Sequence, residues 1–349
     1  MKKLIAMLMA LSMVLSLAAC GGKNNTPTDD AKEPEGTQTE LIYDTQGNAF
    51  EIPMDLQRVI VMNSSIYEMI YVLGKDDIVI GVSDTTKPLG SAAKDTYGDW
   101  REPNVEMILE AAPDAVFGYA SWLDSGLAKQ ITDAGIPVVM LDLYVPSNIL
   151  NEVEFLGKLL GAEERAAAFC ADVQEMLDLV AERTADVEPI TAYWEGYTDY
   201  KSVGKNSGGD ELMQLANVAS LTGNEETSYP KISDEWIVEQ NPQMIIKMIS
   251  NTKGIMDETI SDYGPVQQVY ADMCARPGWD GLDAVKDGKV LFLSSRIGTS
   301  PLGLGLAPLF IAKAAYPEKF EDVDPNAYLS DMLETYWGTE MTGTWSYQD

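Results

Sequence analysis

The segment Ser147–Val187 reads SNILNEVEFLGKLLG followed by AEERAAAFCADVQEMLDLVAERTADV. In its first half Ile149, Leu150, Val153, Leu156, Leu159 and Leu160 recur at helical spacing. Ser147 is placed to cap the start and Gly161 to close the end. A second helix opens on Glu163 and Glu164, carries the apolar stripe Phe169, Val173, Met176, Leu177 and Val180, and has Arg183 near its far end. Acids at the start and a cation at the finish both suit the helix dipole. Neither glycine nor proline interrupts this helix before Pro189. At about 1.5 Å per residue it would run roughly 35 Å, the height of a small domain. The chain has a strand–helix–strand rhythm on either side. The segment therefore reads as a helical strut joining two α/β lobes, with an ordinary helical hairpin inside one core as the alternative.

The chain has 349 residues, enough for two domains, and 46% of them are hydrophobic. Its 24 Lys and Arg stand against 55 Asp and Glu, a net charge of −31. Such a field repels phosphates, so nucleic acid is excluded as a general partner. There is no histidine, which excludes Ser-His-Asp and Cys-His catalysis and His-ligated zinc or haem. Besides Cys20 there are two cysteines, Cys170 and Cys274, whose spacing alone does not decide whether they pair.

Working outward, residues 1–19 read as a targeting leader. Lys2 and Lys3 precede the apolar run Leu4–Leu17, which is short for a membrane span. The leader ends Leu17-Ala18-Ala19-Cys20, followed by Gly21, and resembles the bacterial lipobox, in which the cysteine is lipidated. Residues 20–40, rich in Gly, Asn, Thr, Asp, Pro and Glu, are expected to form a disordered tether. Leu41-Ile42-Tyr43 and Phe50-Glu51-Ile52 then flank a turn as a small hairpin. The first lobe is expected over 41–146, with short apolar strands at Val59–Met62, Ile78–Val82, Ala115–Gly118 and Val138–Leu141 and helices at Ser65–Leu73, Val105–Ala112 and Ser125–Ala134. The connecting helices take 147–188. The second lobe takes 189–349, with strands at Ile190–Trp194, Met244–Met248 and Val290–Leu293 and helices at Asp210–Leu221, Asp234–Gln240 and Gly303–Ala315.

Two segments match across the strut without gaps. EMILEAAPDAVF, from Glu106 to Phe117, aligns on EWIVEQNPQMII, from Glu235 to Ile246. Four of the twelve positions are identical, and each segment runs from a short helix through a proline into an apolar strand.

Together these features resemble the substrate-binding proteins of ABC importers for ferric siderophores, haem and cobalamin. The likeness spans about residues 41 to 335 by order of motifs. It rests on Asp44-Thr45-Gln46-Gly47, Arg58-Val59-Ile60-Val61, Glu68 with Leu73-Gly74, Ile80-Gly81-Val82-Ser83 and Pro103-Asn104-Val105-Glu106. It continues in Leu156-Gly157 and Leu160-Gly161 of the strut, then Arg276-Pro277-Gly278-Trp279 and Ala284–Val290. The resemblance implies an α/β fold of two Rossmann-like lobes joined by a long rigid α-helix, as in class III periplasmic binding proteins. It implies a non-enzymatic, monomeric receptor anchored to the membrane through Cys20, partnered by an importer permease and its ATPase. No intrinsic cofactor or metal is implied; the ligand would be a ferric siderophore or haem, with a corrinoid as the alternative. One glutamate on each lobe docks on permease arginines in this family, and the matching positions are Glu106 and Glu235.

In open α/β lobes, ligands sit beyond the C-terminal ends of the strands. The corresponding loops carry many aromatics, including Trp100, Tyr119, Trp122, Tyr144, Trp194, Tyr197 and Tyr200. Flat rings with polar tips suit a large planar or chelate ligand. The same loops hold the cations Lys87, Arg101, Lys201, Lys205 and Arg296, of which Arg101 and Arg296 are favoured to hold anionic groups of the ligand. An extracellular glycan-acting enzyme and a surface adhesion module are the competing readings from other classes.

Replacing Cys20 by alanine is expected to abolish incorporation of labelled fatty acid and to release the protein from membranes. Fractionation and lipid labelling check this; unchanged labelling and retention would refute the lipobox reading.

Overall fold

Strands in both halves are apolar on both faces because each sheet separates two cores. Val59, Val61, Ala115, Phe117 and Val139 of the first sheet point into one large core, while Ile60, Val116, Val138 and Met140 point into a smaller outer one. The second sheet repeats this: Ala192, Trp194, Met244, Ile246, Met248, Leu291 and Leu293 face the large core, and Tyr193, Ile245, Val290 and Phe292 the outer one. Successive strand residues face opposite ways, so continuous apolar runs are what a sheet covered on both sides requires. The structure, a computed structural model, describes residues 40–44, 46–52, 54–86 and 91–348. The leader, Cys20, residues 20–39 of the expected tether, and Lys87 lie outside the described residues.

The first sheet has the spatial order Asp95–Thr96, Val79–Val82, Val59–Val61, Ala115–Gly118 and Val138–Met140, all parallel. In the second, Val218–Ser220, Ile190–Glu195, Met244–Ile249 and Val290–Ser294 are parallel, and Ser346–Tyr347 adds an antiparallel edge. The four principal strands of each lobe follow the same order, which makes the lobes structural repeats. The helices Val105–Ala111 and Asp234–Gln240 complete the match. Asn104 and Ser233 cap them through the amides of Met107 and Trp236, and both end on a left-handed residue, Ala112 and Asn241. Asp114 and Gln243 then bond back to the entry of the neighbouring strand, at Arg58 and Thr191.

Between the lobes run helices Pro146–Leu160 and Glu163–Thr184, the latter 22 residues long. Phe169, Val173, Met176 and Val180 are buried as the stripe predicts, Gly161 closes the first helix at φ 60°, and Arg183 pairs with Asp322 at 2.8 Å. A third helix, Pro301–Ala315, packs against this pair and is apolar on nearly every side. All three helices belong to the large core, which continues unbroken from the hairpin residue Phe50 to Trp345 near the C-terminus. The strut is thus also a hairpin buried in a core that both lobes share.

Three local expectations are corrected. Ser147 does not cap the first strut helix, which starts one residue earlier on Pro146; the Ser147 amide instead donates to Glu211 of the second lobe at 2.9 Å. The helix expected over Asp210–Leu221 ends at Leu215. Asn217 takes a left-handed turn at φ 56°, its side chain donates to the carbonyls of Thr184 and Val187, and Val218–Ser220 becomes an edge strand. The helix expected over Ser125–Ala134 is broken at Gly126, φ 76°, into Trp122–Ser125 and Leu127–Thr132. The possible cysteine pairing is also decided: Cys170 keeps its thiol, which donates weakly to the Leu150 carbonyl, and burial raises its pKa to about 12.

Gly157 lets the strut helices pack closely, since a Cβ there would lie 2.5 Å from that of Ala166. Gly157→Val should force the pair apart and destabilise the fold by about 1–3 kcal/mol, the usual range for overpacking. A fall in the urea midpoint at unchanged slope checks this.

Candidate functional site

The C-terminal ends of the two parallel sheets face a common cleft. On the first lobe Asn63 sets its floor. Its side-chain oxygen accepts from the amides of Ser65 and Ile66, capping the helix Ser64–Val72, while its amide donates to the carbonyls of Leu141 and Asp142 at 3.2 Å. One residue thus ties together the ends of strands Val59–Val61 and Val138–Met140. Above it stand three rings in series: Trp100 and Tyr119 with centroids 4.6 Å apart, then Tyr119 and Tyr144 at 6.2 Å. The Arg101 guanidinium lies over Trp100 at 4.0 Å. Burial, followed by the charge of Asp142 and the phenol of Tyr229, pushes the Tyr144 hydroxyl up to about 12. The two walls approach each other here: a Cβ added at Gly208 of the second lobe would lie 3.3 Å from the Tyr144 carbonyl oxygen.

The second-lobe wall encloses about 290 Å³, lined by Trp194, Tyr197, Lys201, Tyr229, Met248 and Thr299 among others. Trp194 forms its buried base, and Gly209 is packed so closely on that indole that a Cβ would lie 2.9 Å from it. Tyr144, Tyr197 and Tyr229 are 41%, 47% and 55% exposed, which leaves their rings open to a ligand. Tyr197 lines this cavity, and desolvation there, followed by the nearby phenol of Tyr229, raises its hydroxyl pKa. Lys201 lies over Tyr229 at 5.5 Å. Each wall therefore carries a cation stacked on an aromatic ring.

Of the residues singled out in the sequence, Trp100, Arg101, Tyr119, Tyr144, Trp194, Tyr197 and Lys201 lie on these walls. Four do not. Trp122 is buried in the outer core beneath Gly118, where its indole donates to the Trp100 carbonyl at 2.9 Å; it supports the cleft from behind. Tyr200 turns away in a left-handed conformation and stacks on Arg276 at 4.5 Å. Lys205 is exposed and pairs with Glu226 at 3.3 Å.

Arg296 is the fourth, and its position explains the difference. Its guanidinium donates to Glu68 on the first lobe at 2.9 Å and to Glu258 on the second at 2.8 and 3.2 Å. It bridges the lobes and is already paired with a carboxylate on each. Tyr229, Met248 and Thr299 were not anticipated. Tyr229 reaches the cleft because Lys201 and Lys231 form a backbone bridge, a pairing with no local sequence signal. Glu106 and Glu235 are both exposed, each in the first turn of its repeated helix.

A cleft between two repeated α/β lobes, rich in aromatics and fixed by a buried helical pair, defines a solute-binding protein. Residues 59–297 match the periplasmic binding protein family, and the chain belongs to that family. It is accordingly an extracytoplasmic binding protein of the ABC-importer type and not an enzyme, as the sequence resemblance implied. It is 25% identical over 329 residues to the uncharacterized ABC transporter substrate-binding lipoprotein YvrC of Bacillus subtilis, covering 91% of this chain and 97% of that one. It is also 25% identical over 343 residues to the molybdate-binding protein MolA of Haemophilus influenzae, covering 86% and 91%. Other relatives are named for iron uptake and for cobalamin or vitamin B12 binding. Among solved structures, the TroA-like periplasmic binding protein FepB from Veillonella parvula shares the fold with a TM-score of 0.77 at 21% identity, covering 88% of this chain and 99% of that one.

Arg296→Gln should leave Glu68 and Glu258 facing each other across the lobe boundary. Breaking such a partly buried group typically costs about 3–5 kcal/mol. Burial already raises the Glu68 pKa against the opposing pull of Arg296, and Glu258 raises it further. Without Arg296 the rise should be larger. A carboxyl with a raised folded-state pKa favours folding more as pH falls. The deficit of Arg296→Gln should therefore be larger at pH 7 than at pH 5 in denaturant melts, and a second change, Glu68→Gln, should recover part of it.

Proposed function

We propose that this protein is a lipid-anchored receptor, tethered through Cys20, that binds an iron complex in the interlobe cleft and delivers it to an ABC importer. The iron complex is a ferric siderophore or haem. The observation that carries this reading is the pair of facing walls, Trp100, Arg101, Tyr119 and Tyr144 against Trp194, Tyr197, Lys201 and Tyr229. Two cations laid on cleft rings, in a chain of net charge −31, favour a ligand with flat faces and anionic groups. The volume of about 290 Å³ on the second-lobe side suits one arm of a chelate, with the remainder against the first-lobe rings. A bare oxyanion such as molybdate is better served by a close shell of N–H donors than by half-exposed phenol rings. A corrinoid receptor is the second reading, favoured by the aromatic walls and by the relatives named for cobalamin.

In this reading the lobes are residues 41–146 and 189–349, connected by 147–188. Glu106 and Glu235 dock on basic residues of the permease, and the ATPase acts beyond it. Their equivalent places in the repeat support this role, because both glutamates are exposed at the start of matched helices.

Titration of purified protein with a ferric tris-catecholate, haemin, cyanocobalamin and molybdate tests the reading through tryptophan fluorescence. Saturable quenching by the ferric chelate or haemin is expected, with Trp194→Ala losing about 2 kcal/mol or more of affinity, as for a buried aromatic anchor. Tight binding of cyanocobalamin alone would favour the corrinoid reading, and of molybdate alone would overturn both. Glu106→Arg and Glu235→Arg should each leave affinity intact and impair uptake in cells; normal uptake in the double variant would remove the docking role.

A further inference from the structure

The cleft residues Gly196, Tyr197, Thr198 and Lys201 belong to one short loop after strand Ile190–Glu195, and a network of charge, buried except at Asp199, lies directly behind it. Lys247 is a lysine in the middle of an otherwise apolar strand, 4% exposed. Its ammonium donates to Glu195 at 2.7 Å, to the Gly196 carbonyl at 3.0 Å and to Asp199 at 3.0 Å, which uses all three donors. Arg276 holds both oxygens of Glu195 at 2.8 and 3.1 Å and reaches Asp199 at 3.2 Å. Its guanidinium lies between the rings of Tyr200 and Trp279, at 4.5 and 4.7 Å. Glu195 also accepts from the Tyr193 hydroxyl at 3.2 Å and the Tyr200 amide at 2.9 Å. Two carboxylates therefore face two cations, and the network grips the loop at Gly196, Asp199 and Tyr200.

The grip has a use. Tyr200 has φ 60°, a conformation that a residue with a bulky side chain adopts only when its surroundings hold it there. Its amide bond to Glu195 and its stacking on Arg276 supply that hold. The turn is closed by the Gly196 amide on the Lys201 carbonyl at 2.8 Å and the Lys201 amide on Thr198 at 3.1 Å. Turned this way, the loop sends Tyr197 and Lys201 to the cleft while Asp199 and Tyr200 face the network.

We propose that Lys247, Arg276, Glu195 and Asp199 are positioning residues for ligand binding: they hold the loop in its binding-competent shape and touch no ligand themselves. This rests on the cavity between Trp194 and Tyr229 being the ligand site. A binding protein whose lobes share a core gains little from wide closure, so its affinity depends on how much of the wall is already in place. When only a fraction of molecules is competent, apparent affinity falls by that fraction, and the loss falls on association.

Asp199→Asn is the cleanest probe, because the Asp199 side chain is largely exposed, lines no part of the cavity, and leaves the Glu195 ion pairs intact. Hydrogen exchange of the ligand-free variant is expected to show at least about tenfold faster exchange at the Gly196, Tyr200 and Lys201 amides, with native circular dichroism and at most a small fall in Tm. Stopped-flow association with the ferric tris-catecholate, haemin or cyanocobalamin, whichever the parent protein binds, should slow about tenfold at unchanged dissociation rate. Asp199→Glu should restore both. The charge-neutral pair Glu195→Gln with Lys247→Met should show the same loop exchange in a folded protein. Unchanged exchange in Asp199→Asn overturns the proposal, as does faster dissociation at an unchanged association rate, which would mark a direct contact. Exchange is read without ligand, so a parent protein that binds none of the probes would count against the ligand reading alone.

Discussion

The shared core is the constraint on which the rest depends. Phe169, Val173, Met176 and Val180 of the long strut helix lie in one core with the helix Pro301–Ala315, against which that helix packs, and with the inner faces of both sheets. Buried apolar area of this kind is lost as a block when packing is disturbed, because interiors are as dense as organic crystals. The lobes are thus not beads on a flexible link. Their facing loops are held at a set distance, and Arg296 adds a charged bridge between Glu68 and Glu258 at the same boundary.

The distribution of cations follows from the chain's acidity. With 24 Lys and Arg against 55 Asp and Glu, a basic group usually meets a carboxylate. Arg296, Arg276 and Lys247 are committed in that way, buried or nearly so. Arg101 and Lys201 are different: both are exposed, and both lie over cleft rings. Stacking on an aromatic face holds a cation in place while leaving its charge available. The cations thus divide into those paired with carboxylates and those stacked on rings.

Much of the fold was legible in the sequence because it is written in local periodicity. The helix Asp234–Gln240 has the predicted bounds, and the match between Glu106 and Glu235 marked a repeat that extends to caps, left-handed ends and strand order. The failures have local causes. Pro146 displaced Ser147 as the helix start, and Asn217 turned a run of helical spacing into a strand. Trp100, Tyr119 and Tyr144 lie in one series of rings, and Trp194 and Tyr197 line one cavity, after the strands where the sequence placed them. Trp122, Tyr200, Lys205 and Arg296 occupy the same loops, but their side chains point to other partners.

The sequence by itself determined the class: two α/β lobes, a helical connection, an aromatic cleft and a repeated acidic helix start. Each follows from residue type and spacing along the chain. Only the tertiary structure decided which cations pair with carboxylates, which stack on rings, and which rings line the cavity. A guanidinium goes to whichever carboxylate or ring lies nearest in space. Arg296 meets Glu68 from the other lobe, and Tyr229 reaches the cleft through the bridge of Lys201 with Lys231. Those neighbours are far apart in sequence, so no spacing rule could have named them.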